Sequence, residues 1–136
     1  MSKRVSGLVL FAAAAWLPGV RAEEVVLAKD GVALAKIVVA ADAGKIERFA
    51  ADELKLHLDR MTGGDFAIVT DADPAAGLEI RVGQSARTKF RTDDFKVQQY
   101  AVSVAPDAIE LIGYARKYPG RGVPRLYDLQ GTSYAV

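Results

Sequence analysis

Few of the 136 residues have side chains that could do covalent or acid–base chemistry, and they fall into three groups. The first is two close pairs of acids, Asp71 with Asp73 and Asp93 with Asp94. Two carboxyl groups can hydrolyse an acetal when they lie about 5 Å or about 6.5 to 9.5 Å apart across the bond. Both pairs stand among turn-forming residues, where aspartate usually bonds its own backbone, so they read as turn and cap residues. Asp71-Ala72-Asp73-Pro74 also lacks the further oxygens and terminal glutamate of a calcium loop. The second group is a single imidazole, His57. It stands in an apolar periodic stretch with no second ligand at metal spacing, and reads as a partly buried residue whose nitrogens are satisfied locally.

The third group is richer. Between residues 114 and 127 the chain carries Tyr114, Arg116, Tyr118, Arg121, Arg125 and Tyr127, together with Lys117 and the breakers Pro119, Gly120, Gly122 and Pro124. Arginine offers a planar fork of donors to a carboxylate, and tyrosine offers a flat face and a hydroxyl. The six residues therefore suit an acidic sugar, but the preferred reading is an interface with another folded unit, where Tyr and Arg are enriched. A connection of this length without a period is usually functional or packed on something else.

What composition excludes is as useful. Without cysteine there is no disulfide framework, iron–sulfur site or thiol nucleophile. No Gly-rich loop runs into Lys-Ser or Lys-Thr, so Gly63-Gly64 reads as a helix stop and not as a phosphate cradle. No cofactor is indicated.

Residues 1–22 have the form of a secretory signal: Lys3 and Arg4 lead an apolar run, Pro18-Gly19 breaks it, and Val20-Arg21-Ala22 is a small-x-small cleavage site. The run is too short to span a bilayer, so no membrane association is expected once it is removed. The mature chain, residues 23–136, is expected to be exported to a periplasm or beyond the cell. Taking the three bases of the signal from 18 leaves 15 against 17 acids, a net charge of −2. That balance argues against a nucleic-acid partner, which needs a basic surface to displace counterions.

The elements that must hold these residues follow from period and punctuation. Residues 24–28 and 32–39 read as strands joined at Asp30-Gly31, a pair suited to a tight hairpin. Ile46, Phe49, Ala50, Leu54, Leu58 and Met61 recur at helical spacing. At 100° per residue His57 lies inside that apolar arc and should face the sheet. Residues 66–70 and 78–82 read as strands, with a loop over 71–77 and one helical turn capped by Ser85. Tyr100, Val102 and Val104, then Ile109 and Leu111, alternate about Pro106-Asp107 as a second hairpin. Thr132 is a plausible N-cap for a helix opening at 131–136. Five residues cannot hold a helix alone, so the domain is expected to be truncated at its C-terminal end.

The helix whose closing stretch runs from Ala51 to Thr62-Gly63, the strands Ile80-Arg81-Val82-Gly83 and Ile109-Glu110-Leu111-Ile112-Gly113, and the tail Gly131-Thr132-Ser133-Tyr134-Ala135-Val136 carry a resemblance. They resemble the N-terminal domain that precedes the catalytic barrel of bacterial alpha-glucuronidases, and more closely the secreted proteins of the DUF4838 type that share it. The resemblance covers almost the whole mature chain. It implies an α+β fold, a mixed sheet with one main helix packed on a face, as in the domain preceding the barrel of hexosaminidases. It also implies a non-catalytic accessory domain of an exported glycoside hydrolase acting on polysaccharide. The catalytic carboxylates of such enzymes lie on a barrel of roughly 250 residues, more than this chain can supply. No family catalytic residue is carried onto this sequence; the implied partner is that C-terminal barrel, with an acidic oligosaccharide as the ligand candidate. The alternative, from the residues alone, is a glycan-binding or surface-assembly module without catalysis.

Overall fold

The computed structural model describes residues 24–115 and 131–136. The expected signal segment, and Arg116, Tyr118, Arg121, Arg125 and Tyr127 of the aromatic and basic group, lie outside these residues.

A small ribbon opens the domain. Strands β1 (Ala28–Lys29) and β2 (Val32–Ala33) pair antiparallel, Ala28 opposite Ala33. Asp30 and Gly31 turn the corner at φ of 51° and 77°, as the Asp-Gly pair predicts. The expected single strand over 32–39 is divided. After Leu34, whose N–H meets the Leu27 carbonyl at 2.8 Å, β3 (Ala35–Val39) leaves the ribbon for the main sheet. There it is flanked on both sides and buried on both faces, which is why its hydrophobic run is nearly continuous.

The main sheet has the order β4-β3-β5-β7-β6, with β4 (Ile68–Thr70), β5 (Leu78–Val82), β6 (Tyr100–Val104) and β7 (Ala108–Gly113). Strands β3, β4, β5 and β7 run parallel, and β6 pairs antiparallel with β7 across the expected Pro106-Asp107 turn. Helix α1 (Lys45–Thr62) links β3 to its neighbour β4. The architecture is α+β, a mixed sheet with one main helix on a face.

That helix is anchored at both ends. Arg48 donates to the carbonyls of Ala43 and Ala41, each at 3.0 Å, fixing the chain that enters it. Gly63 ends it in the left-handed conformation, φ 73°, its N–H on the Asp59 carbonyl. Asp59 also accepts from the Phe66 N–H and from Lys55, tying the exit to the start of β4.

The core lies between α1 and one face of the sheet: Ala35, Ile37, Val39, Ile80, Val82 and Leu111 meet Ala50, Ala51 and the fully buried Phe66. Two adjacent alanines present almost no bulk, so the helix rests close on the strands. Helix α2 (Gly131–Ala135) sits on the same face over β7. It begins at Gly131, so Thr132 is not the N-cap that its residue type suggests. Thr132 is fully buried, and its hydroxyl accepts the Gly113 N–H at 3.2 Å. Gly113 and Gly131 are both required by that docking, since a Cβ on Gly113 would stand 2.3 Å from the Gly131 carbonyl carbon.

His57 is a correction. Its side chain is 65% exposed, beside Glu53 at 3.8 Å, and does not face the sheet. Phe49 and Met61, which drew the expected apolar arc toward it, are themselves exposed. The buried arc runs instead through Ala50, Ala51, Leu54 and Leu58, rotated away from His57.

Candidate functional site

The one concentration of charge inside the molecule, among the described residues, lies on the sheet face opposite α1. Alternation along β5 sends Leu78, Ile80 and Val82 to the helix side and Glu79 and Arg81 to the other. Parallel pairing of β5 with β7 then sets Arg81 directly beside Glu110. Glu79 and Glu110 are each 3% exposed. Burying two carboxylates is costly unless each is paired and hydrogen-bonded, and here both are.

Arg81 donates from Nε to Glu79 at 2.9 Å, and from one terminal nitrogen to Glu110 at 3.2 Å and to the Arg87 carbonyl at 2.8 Å. Arg87 reaches the other oxygen of Glu79 at 2.5 Å and donates to the carbonyls of Asp71 and Asp73. The Lys89 N–H spans both oxygens of Glu110, at 3.2 and 3.1 Å. Two arginines balance two glutamates, and among the described residues no buried side-chain nitrogen or oxygen lacks a partner. A carboxyl group that acts on a substrate must present an oxygen to it. Every oxygen of Glu79 and Glu110 already receives a donor, and neither faces solvent.

The cluster was not singled out from sequence, where Glu110 reads as the polar half of an alternating strand. The available signal was the pairing of Glu-x-Arg on one strand with Glu on another, which becomes meaningful only when the two strands are known to be neighbours.

Three of the four paired acids, Asp71, Asp73 and Asp94, serve as clasps, as their setting in turns suggests. Asp71 accepts the N–H of Ala41 at 2.8 Å and of Ala86 at 2.9 Å, joining the ends of β3 and β5. These two backbone donors, Ala86 first, hold its carboxyl below the usual range. Asp73 takes the N–H and hydroxyl of Thr70, with the same effect on its pKa. Asp94 accepts the Arg91 N–H at 2.9 Å around the 3-10 turn Thr92–Asp94. Ser85 accepts the Arg87 N–H at 3.2 Å in a turn that is not helical, where one helical turn is expected. No three His, Asp or Glu side chains among the described residues are grouped to hold a metal.

Of the six aromatic and basic candidates the structure places Tyr114. It follows β7 directly, half-buried, with its N–H on the Gln99 carbonyl at 2.9 Å. Tyr114 therefore lies just past the carboxyl end of a parallel strand. Comparison with protein-family models, with curated proteins and with solved structures found no match.

Proposed function

We propose that this chain is a non-catalytic accessory domain of an exported glycoside hydrolase of the alpha-glucuronidase type, built to be held against a catalytic unit. The observation that carries the reading is how the acids are used. Glu79 and Glu110 are locked in ion pairs, and Asp59, Asp71, Asp73 and Asp94 each accept backbone N–H groups. These side chains are committed to holding loops and strands together. The mixed sheet with its single main helix agrees with the accessory domain that the sequence resembles.

In this reading Tyr114, Arg116, Tyr118, Arg121, Arg125 and Tyr127 form the surface that meets the catalytic unit. The experiment is to express the complete reading frame that encodes this chain and assay release of glucuronic acid from substituted xylo-oligosaccharides. Release by the complete product supports the proposal. A complete product that binds these oligosaccharides without cleaving any glycoside overturns it in favour of a glycan-binding module.

A further inference from the structure

Among the described residues, strand β6 has an unusual free edge. It is the outermost strand of the main sheet, and its five residues, Tyr-Ala-Val-Ser-Val, contain no charge, no proline and no glycine. Natural edge strands are usually guarded by such residues or kept very short, because an exposed row of backbone donors and acceptors recruits another strand. The opposite edge obeys the rule: β4 has three residues and runs directly into Asp71, Asp73 and Pro74.

The pairing with β7 fixes which groups of β6 point outward. Ala105 and Ala108 exchange hydrogen bonds at 2.8 and 3.3 Å, and Tyr114 donates to Gln99. Alternation from these anchors turns the backbone groups of Ala101 and Ser103 toward β7 and those of Tyr100, Val102 and Val104 toward the open edge. The side chains of the same three residues lie on the core face, in register with Gly113, Leu111 and Ile109. They are 51%, 54% and 59% exposed. The apolar core face thus continues past α1 and α2 onto an edge whose hydrogen-bonding groups are directed outward.

We propose that β6 pairs antiparallel with β6 of a second copy of this chain, about a two-fold axis at Val102. The pattern is its own complement. Val102 faces Val102 of the other copy, and Tyr100 faces Val104 in both directions, so three apolar pairs form on one face. All three residues carry outward backbone groups, so each is a hydrogen-bonded pair and six backbone hydrogen bonds close the joint. Ala101 meets Ser103 on the other face. No like charges are brought together, which a two-fold axis through a charged strand would impose. Such an interface is isologous and closes at two copies. It is smaller than a standard protein interface, so association is concentration-dependent.

The test uses the absence of native cysteine. In this register Val102 is the residue that sits opposite itself, with the paired Cα atoms about 5.5 Å apart, inside disulfide range. Val102→Cys is expected to give a disulfide-linked dimer under mild oxidation. Ser103→Cys is expected to give none, because the two Ser103 positions are offset by two residues and lie about 8 Å apart. Sedimentation equilibrium of the unaltered chain should show reversible dimerisation between about 10 µM and about 1 mM. Val102→Lys, with an unchanged circular dichroism spectrum, should remain a monomer throughout that range. A monomeric unaltered chain at the highest concentration, equal cross-linking at both cysteines, or a dimer that survives Val102→Lys overturns the proposal.

Discussion

Replacing Arg81 with methionine tests the role assigned to the buried charges. The guanidinium makes three hydrogen bonds, to Glu79, to Glu110 and to the Arg87 carbonyl, and among the described residues it is the only side-chain cation on Glu110. Methionine keeps most of the apolar stem and removes all three. Two glutamates at 3% exposure are then left with one arginine between them. Breaking a buried ion pair by removing one partner costs about 3 to 5 kcal/mol, since the other charge stays buried. For a domain whose whole stability is of order 5 to 15 kcal/mol, that is a third or more. With a urea slope of about 1.5 kcal/mol/M, the unfolding midpoint should fall by about 2 to 3 M. The double variant Arg81→Met with Glu110→Leu restores neutrality, leaving Glu79 with Arg87, and should recover about half of that loss. A midpoint moved by less than about 0.5 M in the single variant, or a double variant as unstable as the sum of its parts, would refute the view of this cluster as a structural fastener.

Gly113→Ala should cost about 1 to 3 kcal/mol in urea unfolding, because the new methyl group meets the Gly131 backbone, which cannot yield as a side-chain tip could. Gly77→Ala, at φ 70° in open space, should cost only the roughly 1 kcal/mol of its backbone conformation, and a reversed order would contradict the close docking of α2. His57→Ala should change stability by less than about 0.5 kcal/mol in the same assay, since the ring is exposed. Asp71 has a folded pKa below its unfolded value near 3.8, so its contribution is present above that pH and lost as pH falls through the folded value. Circular dichroism followed from about pH 5 to about pH 2 should show stability falling more steeply for the unaltered chain than for Asp71→Asn.

The parts of the fold that local chemistry determines were legible in the sequence. Asp30-Gly31 demands positive φ angles, Gly63 ends a helix in one, and the hydrophobic alternation of 78–82 survives because that strand keeps polar residues on alternate positions. The rotation of α1 was not legible. It depends on which side of the helix the sheet accepts, and Ala50 and Ala51, small and easily discounted in an apolar count, decide it over the larger Phe49. The end of the 32–39 run was hidden for a similar reason, since a strand flanked on both sides shows no break where it leaves one sheet for another. The charge cluster was the least accessible, because Arg81 and Glu110 are 29 residues apart and become partners only through the β5–β7 register. For the aromatic and basic group, the sequence supplied composition, and the structure adds that Tyr114 starts it at the carboxyl end of β7.

Glu79, Glu110, Asp59, Asp71, Asp73 and Asp94 are engaged in holding the fold together. The most direct measurement is hydrolysis by this purified chain of a panel of aryl glycosides and glucuronate-bearing oligosaccharides across acid and neutral pH. No release above the uncatalysed rate is the predicted result. Turnover by this chain that disappears in Glu79→Gln or Glu110→Gln, with the fold retained, would contradict it.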